Sequence, residues 1–483
     1  MLNASHEVTH STFRSAALER EKRLRLLPDA DRDIIRLAHD PLFPRLLEQI
    51  KAVGGCAHPV YLSGSTITHD TLTGEVISSY STAGEPGERL AVHCRNRRAS
   101  VCAPCAYLHA GDTYQLIRAG LSGGKNIPNA VRDQPRLFVT LTAPSFGAVH
   151  RFRDSQRCRP RRDGGLCEHG RSVGCGLVHT EDDPVLGRAL CADCYDYVGH
   201  VLWHAHAGRL WDRFTTAARR HLASVAGIPR SRLGDHLVVS FAKVAEYQKR
   251  AAIHFHAVVR LDGPAGPGDP SPAWATPELL ADAVHAAAVS ANVRAPESDA
   301  YGDVLLVWGR QLDVRPIRAF ADGEGPTDDA VAAYVAKYVS KGTAETGAGL
   351  DYRVTGPDDI HAAVVTPHVR ALMATCWRLG GLPELEHLRL RTWARGLGHR
   401  GHILSKSRRY STTYTALREE RAAHQRADIE PTGNPTVVTE SNWRYVGSGY
   451  TPGAARLAAG IAEEIATSRE LVREEMADRG FEA

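Results

Sequence analysis

The sequence has 483 residues, of which 43% are hydrophobic, 24% charged and 7% aromatic, and its formal net charge at pH 7 is +4. This composition is ordinary for a globular protein and excludes collagen-like, disordered and membrane-embedded chains. The length predicts two to three domains at roughly 150 residues each, and so small a net charge does not by itself indicate a nucleic-acid partner.

The predicted elements follow from apolar periodicity and from turn residues. Helical segments are predicted at 14–52 (broken near Pro28 and Pro41), 111–125, 195–223, 277–290, 328–341 and 453–478. Strands are predicted at 137–142, 236–247, 251–261 and 303–308, with short strand-like runs within 56–105. Residues 150–195 are rich in Arg, Gly and Cys and have the character of an insertion.

Neither a signal peptide nor a membrane span is predicted. The N-terminal residues contain no apolar segment, and no run of about 18 apolar residues occurs in the sequence. The expected location is therefore the cytoplasm, where thiols stay reduced. Cysteines grouped in Cys-x-x-Cys pairs then favour zinc binding over disulfides.

Nine of the ten cysteines fall into two groups. Cys94-x7-Cys102-x2-Cys105 and the upstream Cys56 supply four thiolates, enough for a closed tetrahedral zinc site. The insertion contributes five more, Cys158, Cys167, Cys175, Cys191 and Cys194, with His169 and His179 nearby. Four of these five would make a second site, and two metals are also compatible, so one to three structural zinc ions are predicted. Whether these modules also contact DNA stays open. The remaining Cys376 is expected to be a buried thiol.

Two histidines in a predicted strand are candidate metal ligands. His254 and His256 lie on one face, because alternate side chains of a strand point the same way. If the preceding strand forms a hairpin bending at Arg250, paired residue numbers sum to 500 and Glu246 lies opposite His254. Two imidazoles and a carboxylate suit Mg²⁺ or Mn²⁺. A register summing to 499 would turn Glu246 away, and histidines without a metal are the alternative interpretation.

Two tyrosines one helical turn apart are candidate nucleophiles. Tyr334 and Tyr338 are each followed three residues later by a lysine, Lys337 and Lys341. A phenol is a poor nucleophile at neutral pH, and a neighbouring ammonium group or metal favours its phenolate form. The alternative is a helix that packs both tyrosines on a core and leaves its lysines at the surface.

These motifs resemble those of HUH-type rolling-circle replication initiators, in the same order. The family has a hydrophobic strand ending in Thr, a His-hydrophobic-His strand and a Tyr-x-x-Lys helix. They correspond here to Phe138–Thr142, to His254-Phe-His256, and to Tyr334/Lys337 and Tyr338/Lys341. The wider similarity is to initiators of actinobacterial plasmids and integrative elements. It includes LTAPSFGAVH (141–150), LCADCYDY (190–197), KVAEYQKRAAIHFHAVVRLDG (243–263) and GHRGHILSKSRRYS (398–411), and it spans most of residues 56–411.

The resemblance implies a mechanism. Mg²⁺ or Mn²⁺ held by His254, His256 and Glu246 would polarise the scissile phosphate of single-stranded or supercoiled origin DNA. A tyrosine would attack the phosphorus, giving a 5′-phosphotyrosine and a free 3′-OH primer, and the lysines would steady the phosphate or the phenolate. The second tyrosine could perform the closing transfer.

Some related initiators carry a Glu four residues before the catalytic tyrosine. Tyr334 stands at that position here, which leaves the termination step open and slightly favours Tyr338 as the first nucleophile. No G-x-x-x-x-G-K-[ST] motif occurs, so a host helicase and the host replication machinery are expected partners.

The stretch from Arg389 to Arg409 contains seven Lys or Arg and no acidic residue. Within it, Arg400, Lys406, Arg408 and Arg409 are predicted to contact DNA. Neighbouring Tyr410 adds an aromatic ring, and basic residues mixed with an aromatic suit a phosphate backbone and a stacked base. A solvated loop is the alternative.

The resemblance also implies an α+β fold, the HUH endonuclease palm. We expect a central antiparallel sheet of about five strands, with the histidine strand in its middle and helices on one side. The predicted regions are an N-terminal helical segment (1–52), a first zinc module (53–110), a nuclease domain (111–345) interrupted by a zinc-binding insertion (150–195), and a mainly helical C-terminal region (346–483) with the basic segment at 389–411.

Two other functions stay open. A two-tyrosine transposase would use the same chemistry, and a non-enzymatic zinc-containing DNA-binding regulator would need neither the histidines nor the tyrosines.

Overall fold

A computed structural model describes residues 22–161, 165–317, 326–340, 353–427 and 437–478, without the side chains of 338–340, 425–427 and 477–478. Contacts divide the chain into two compact units, one formed by residues 1–109 and 426–483, the other by residues 110–425. The predicted C-terminal region is therefore shared between the two units.

The described elements in chain order are as follows. The helices are α1 (Asp29–Ala38), α2 (Phe43–Ala52), α3 (Ala103–Ser122), α4 (Tyr197–Val225), α5 (Pro277–Ser290), α6 (Asp328–Ser340), α7 (Pro357–Ala362), α8 (Pro367–Leu379), α9 (Tyr414–Ala427) and α10 (Pro452–Asp478). The strands are β1 (Val60–Asp70), β2 (Val76–Ser81), β3 (Leu90–Val92), β4 (Arg136–Thr142), β5 (Val238–Tyr247), β6 (Ile253–Asp262), β7 (Asn292–Arg294), β8 (Leu305–Val307), β9 (Leu312–Pro316), β10 (Leu404–Lys406) and β11 (Val437–Ser448).

The smaller unit is built around β1, which pairs antiparallel with β2, β3 and β11. Its core is small and contains three of the first-group cysteines, Cys56, Cys102 and Cys105, beside Val53 and Tyr61. Helix α10 packs against α1 and α2. A metal ion that cross-linked these cysteines would add stability to a unit with so few buried apolar side chains.

The larger unit contains a five-stranded antiparallel sheet in the order β10-β5-β6-β4-β9. The histidine strand β6 lies at its centre, as predicted. The mixed α+β architecture with antiparallel sheets is thus confirmed. Helix α4 is capped at its start by Asp196, whose carboxylate accepts a hydrogen bond from the Gly199 amide at 2.7 Å.

Helices cover both faces of this sheet, so the expectation of helices on one side was wrong. Odd-numbered β6 residues such as Phe255 belong to the core that includes Trp211 of α4. The opposite face also carries apolar side chains, among them Val258, and these pack against Ile117 of α3 and Val335 of α6. Apolar side chains on both faces require a cover on both.

The C-terminal region contains two strands that the sequence analysis did not predict. Leu404–Lys406 form the edge strand β10, and β11 pairs with β1 over the full length of β1. Almost every β11 residue is exposed to solvent, so its sequence lacks the apolar–polar alternation that identifies a strand buried on one side. None of the helices in the described ranges is long and apolar enough to cross a lipid bilayer.

Candidate active site

Two imidazoles and one carboxylate converge at the centre of the sheet. Glu246 on β5 pairs directly with His254 on β6, in the register that sums to 500. The Nε2 atoms of His254 and His256 lie 2.9 and 2.8 Å from the same Glu246 Oε2, and 3.1 Å from each other. One nitrogen or oxygen atom from each residue thus faces a common point, which fits a single divalent cation.

The protonation states at this point also suit a metal. Burial opposes the charged form of Glu246, but hydrogen bonds with His254 and His256 outweigh it and lower the pKa of Glu246 to about 2. Burial lowers the pKa of His256, although the hydrogen bond with Glu246 acts the other way. An ionised carboxylate and a neutral imidazole are the forms that coordinate a cation.

Strand β4 orients His256. The Thr140 Oγ1 atom lies 2.9 Å from His256 Nδ1, and the Phe138 ring stacks parallel to the imidazole with centroids 5.7 Å apart. When Nδ1–H donates to Thr140, the lone pair on Nε2 is left facing Glu246. A partner of this kind fixes the tautomer and the ring orientation of a metal-binding histidine.

Tyr334 on α6 reaches the same point. Its hydroxyl lies 3.0 Å from His256 Nε2, and its ring meets the imidazole edge to face at a centroid distance of 4.9 Å. Tyr334, His254 and His256 line a cleft of about 440 Å³, a volume within the range of roughly 300–1,000 Å³ typical of small-molecule sites.

Helix α6 is held in place by a buried ion pair at its first residue. Arg136 of β4 donates to Asp328 Oδ1 at 2.7 Å and to the Leu121 carbonyl at 2.6 Å. Ser122 donates to the other carboxylate oxygen of Asp328 at 2.8 Å. Arg136 and Asp328 are both buried, so the helix that carries Tyr334 is fastened to the strand beside the histidines.

The other predicted residues of this helix are only partly described. Tyr338 lies on α6 one turn after Tyr334, but its side chain is outside the described residues, as is all of Lys341. Lys337 is exposed. Of the two tyrosines, Tyr334 is therefore the one whose hydroxyl is seen beside the histidines.

Edge strand β9 adds cleft residues that the sequence analysis missed. Asp313 and Arg315 of β9, with Gln311 just before the strand, line the cleft, and Arg315 Nε lies 2.8 Å from Asp313 Oδ2. The signal was weak because β9 has five residues and ends in Pro316. Only the alternation of Leu312, Val314 and Pro316 with polar residues hinted at a strand.

The first cysteine group comes together as predicted. Cys56, Cys94, Cys102 and Cys105 each offer a sulfur atom within 4.8 Å of the others. Cys56 Sγ lies 3.8 Å from that of Cys102 and 3.6 Å from that of Cys105. Hydrogen bonding with Cys105 and Cys56 lowers the pKa of Cys102. This group could hold a zinc ion.

The insertion contains two groups that could each hold zinc. One consists of His150, Cys158, Cys175 and His179, and the other of Cys167, His169, Cys191 and Cys194. The five cysteines are thus divided between two sites, and each site is completed by histidine. His150 was missed because it precedes the insertion cysteines and belongs to no spaced motif.

Local contacts prepare both insertion sites for a metal. Asp183 Oδ2 lies 2.7 Å from His179 Nδ1 and orients that ring. Desolvation opposes the thiolate of Cys167, but the amides of Arg171 and His169 and the neighbouring thiols lower its pKa to about 7. The solitary Cys376 is buried, its thiol donates to the Leu390 carbonyl at 3.2 Å, and burial raises its pKa.

The basic segment is only partly available to DNA. Arg400, Arg408 and Arg409 are exposed, and Arg409 donates to the Pro264 carbonyl at 2.8 Å. Lys406 is half-buried, with Nζ 2.9 Å from the Ser411 carbonyl. Tyr410 is fully buried, and its hydroxyl donates to the Ile117 carbonyl at 3.2 Å. The expectation that Tyr410 stacks on a base was wrong, because its ring fills the core beneath α3.

Fold and site together define an α+β protein whose described residues include one candidate divalent-metal centre facing a tyrosine and three Cys/His groups that could hold zinc. The chain matches the family model described as "RepSA: Replication initiator protein, pSAM2" over residues 42–463. A "Replication initiator protein" of Streptomyces ambofaciens is 47% identical over 460 residues, covering 92% of this chain and 96% of that protein. The chain belongs to this replication initiator family, which confirms the resemblance found in the sequence. No solved structure matches it.

Proposed function

We propose that this chain initiates rolling-circle replication as a metal-dependent endonuclease and strand transferase of the HUH type, acting on one strand of origin DNA. Membership of a replication initiator family supports the general role. The nicking chemistry rests on one observation, the Tyr334 hydroxyl 3.0 Å from an imidazole that converges with His254 and Glu246.

In the proposed reaction, the Tyr334 oxygen forms a bond to phosphorus and the bond from phosphorus to the 3′ oxygen breaks. The phenol proton leaves to solvent, and the departing 3′ oxygen gains one. The products are a 5′-phosphotyrosine and a 3′-OH primer. Mg²⁺ or Mn²⁺ bound by His254, His256 and Glu246 would neutralise charge on the phosphate oxygens.

Other residues are assigned supporting roles. Arg315 is exposed at the cleft beside Tyr334 and would contact the phosphate backbone. One guanidinium group can donate two parallel hydrogen bonds to two oxygens of a phosphate. Lys337 would stabilise the phenolate or the phosphate. Tyr338 and Lys341 are proposed for the closing transfer at the end of a round, which reverses the slight preference of the sequence for Tyr338 as first nucleophile.

Mass spectrometry of a covalent adduct tests the proposal. Protein incubated with Mn²⁺ and single-stranded origin oligonucleotide should yield an adduct on Tyr334. Tyr334→Phe should abolish the first nick, whereas Tyr338→Phe should retain it. Tyr445→Phe, which alters an exposed tyrosine of β11, is the matched control. If the Tyr334→Phe, Tyr338→Phe double variant still forms an adduct, this chemistry is ruled out. If the Tyr334→Phe variant forms the adduct and the Tyr338→Phe variant does not, the first cut is made by Tyr338.

We also propose that all three Cys/His groups bind structural zinc. The support is their four-ligand composition and, for the group that contains Cys56, the small core around it. Arg400, Arg408 and Arg409 are proposed to contact origin DNA. Unwinding is assigned to a host helicase that works with the host replication machinery.

A further inference from the structure

Helix α4 carries a row of arginines on its outer side. Arg209, Arg213 and Arg220 project into a sector of about 40° at 100° per residue, and they span roughly 16 Å along the axis at 1.5 Å per residue. All three are exposed. Asp212 is the one acidic residue between 197 and 225, and it lies outside this sector.

The row forms one wall of a groove of about 810 Å³. Strand β7 and the end of α5 form the other wall and add a fourth arginine, Arg294. Hydroxyl and amide groups and small apolar side chains also line the groove. The full lining is Arg209, Arg213, Thr216, Ala217, Arg220, His221, Ser224, Ala286, Ser290, Ala291, Asn292, Val293 and Arg294, and none of these residues is acidic.

Most of this positive charge is not neutralised by the protein. Arg294 forms an ion pair with Asp303, but Arg209, Arg213 and Arg220 form none with any residue in the described part of the chain. Asp212 acts elsewhere: burial lowers the pKa of Lys243 to about 8, and the charge of Asp212 partly offsets that effect. An acid-free groove with three unpaired guanidinium groups favours a polyanion.

The positive field continues toward the basic segment. Burial lowers the pKa of His206 on α4, and the charges of Arg209 and Arg400 both lower it further. Arg209, at one end of the groove, and the exposed Arg400 therefore both act on this one buried imidazole.

We propose that this groove, which we call the α4 groove, binds the phosphate backbone of double-stranded DNA. Its donors are guanidinium, hydroxyl and amide groups, the usual contacts to phosphate oxygens. Single-strand sites place aromatic rings against the bases, and no Phe, Tyr or Trp side chain lines the described groove. Three guanidinium groups spread over roughly 16 Å of helix can reach several phosphates of one duplex, whose charges follow each other closely along its axis.

The groove lies on the side of the sheet away from the candidate active site. Trp211 and Phe214 of α4 pack against the face that carries Phe255, whereas His254 and His256 are on the opposite face. The duplex held in the α4 groove is therefore a different stretch of DNA from the strand in the cleft. It would anchor the protein on the double-stranded region beside the nick. This inference deepens the proposed function but does not depend on the tyrosine chemistry.

Equilibrium binding to a 30-base-pair duplex of arbitrary sequence, measured between 50 and 200 mM salt, tests the proposal. The variant Arg209→Gln, Arg213→Gln, Arg220→Gln should bind about tenfold or more weakly, and its slope of log K against log salt should fall by ~2–3, since each lost phosphate contact contributes about 0.9. The triple Arg→Lys variant keeps the charges and should keep most of the slope. Arg230→Gln, Arg232→Gln, Arg378→Gln removes equal charge from exposed positions outside the groove and should change little.

Two results would overturn the assignment. If the groove variant loses no more duplex affinity than the control triple variant, the effect comes from net charge alone. If the groove variant loses as much affinity for a 30-nucleotide oligo(dT) strand as for the duplex, or more, a duplex-binding groove is excluded. No nicking is measured, so failure here leaves the Tyr334 assignment untouched, and a Tyr334→Phe variant that still nicks leaves the groove intact.

Discussion

In the candidate metal centre, the hydroxyl of Thr140 is the contact that orients the His256 ring. His256 Nδ1 is 2.9 Å from Thr140 Oγ1, while Nε2 of the same ring faces Glu246 and Tyr334. Without the hydroxyl, the ring could rotate or take the other tautomer, and its lone pair would no longer point at the cation.

Replacing Thr140 by Val keeps the shape of the side chain and removes the hydroxyl. Mn²⁺ affinity should fall by about 10–100-fold, the usual effect of losing a hydrogen bond to a ligating histidine. Calorimetric titration with Mn²⁺ measures this directly, and Thr140→Ser should restore most of the affinity. Unchanged Mn²⁺ binding by Thr140→Val would show that packing against Phe138 alone orients the ring.

The sequence predicted individual candidate ligands where strand geometry constrained them. Alternation and hairpin pairing are sufficient to bring Glu246, His254 and His256 together, because a strand has a fixed period of two. The same reasoning could not find His150, whose partners are brought to it by irregular loops. It also predicted wrongly that the Tyr410 ring is available to DNA, because basic residues nearby in sequence do not determine whether one ring points to solvent or to the core.

At the scale of elements, the position of α6 depends on its first residue. Asp328 accepts hydrogen bonds from Arg136 and Ser122 in a buried environment. Asp328→Ala would leave the Arg136 guanidinium buried without its counter-charge, which costs about 3–5 kcal/mol. Urea unfolding should show this loss, and nicking should fall with it, because Tyr334 is no longer held beside His256.

The next residue is the matched control. Asp329 pairs with Arg118 at 2.8 Å, and both side chains are largely exposed. Asp329→Ala should cost at most about 1 kcal/mol, as exposed ion pairs do. Equal losses for the two alanine variants would mean that the buried pair does not anchor the helix.

The described part of the insertion contains two candidate zinc-binding groups and little regular strand pairing. Its regular pairing amounts to isolated bridges such as Arg159–Cys175 and Leu166–Ser172. The ligands of the two groups alternate along the chain in pairs: 150 and 158, then 167 and 169, then 175 and 179, then 191 and 194. Each site therefore closes a loop that contains ligands of the other.

Cys158→Ser should accordingly lower the zinc content of purified protein by at least one ion per chain. It should also expose residues 150–195 to proteolysis, because the second site loses part of its support. Cys376→Ser, at a buried cysteine outside every group, should leave the zinc content unchanged. Elemental analysis and limited proteolysis provide the measurements, and identical zinc contents for the two variants would refute the assignment.

Elements with a strong period were predictable, and those without one were not. The α4, α5 and α10 helices and the β4, β5 and β6 strands lie within a few residues of their predicted bounds. Strands β9 and β10 are short and β11 is exposed, so each owes its existence to a partner strand distant in sequence. Apolar pattern within a segment cannot report such a partner.

At the scale of the whole molecule, stability should depend on pH through a buried histidine network in the larger unit. His200 Nε2 lies 3.2 Å from His204 Nε2, and the Tyr195 hydroxyl lies 3.0 Å from His200 Nδ1. His204 Nδ1 lies 2.8 Å from the Leu397 carbonyl. Nearby, His368 Nε2 is 3.2 Å from the Arg250 carbonyl, and Tyr197 is 3.1 Å from His368 Nδ1. These contacts need neutral rings, because each ring both donates and accepts.

Burial sets the direction of the effect. It lowers the pKa of His204 and of His368 to about 4 and that of His200 well below its ordinary value, with the Arg250 charge adding to the effect on all three. The unfolded chain, with ordinary histidines near pH 6.5, then binds protons more readily than the folded chain. The stability that comes from neutral buried rings is therefore fully present above pH 6.5 and is lost as the pH falls toward 4.

His368→Gln isolates one member of this network, since an amide can still donate to Arg250 and accept from Tyr197. Between pH 7 and pH 5 the wild-type free energy of unfolding should fall by about 2 kcal/mol for each buried histidine, and the variant should lose correspondingly less. Urea unfolding at the two pH values, with zinc supplied throughout, measures the difference. His361→Gln changes an exposed histidine of α7 and should retain the full wild-type drop. If His368→Gln also retains it, acid sensitivity comes from other groups, with the zinc ligands as the next to test.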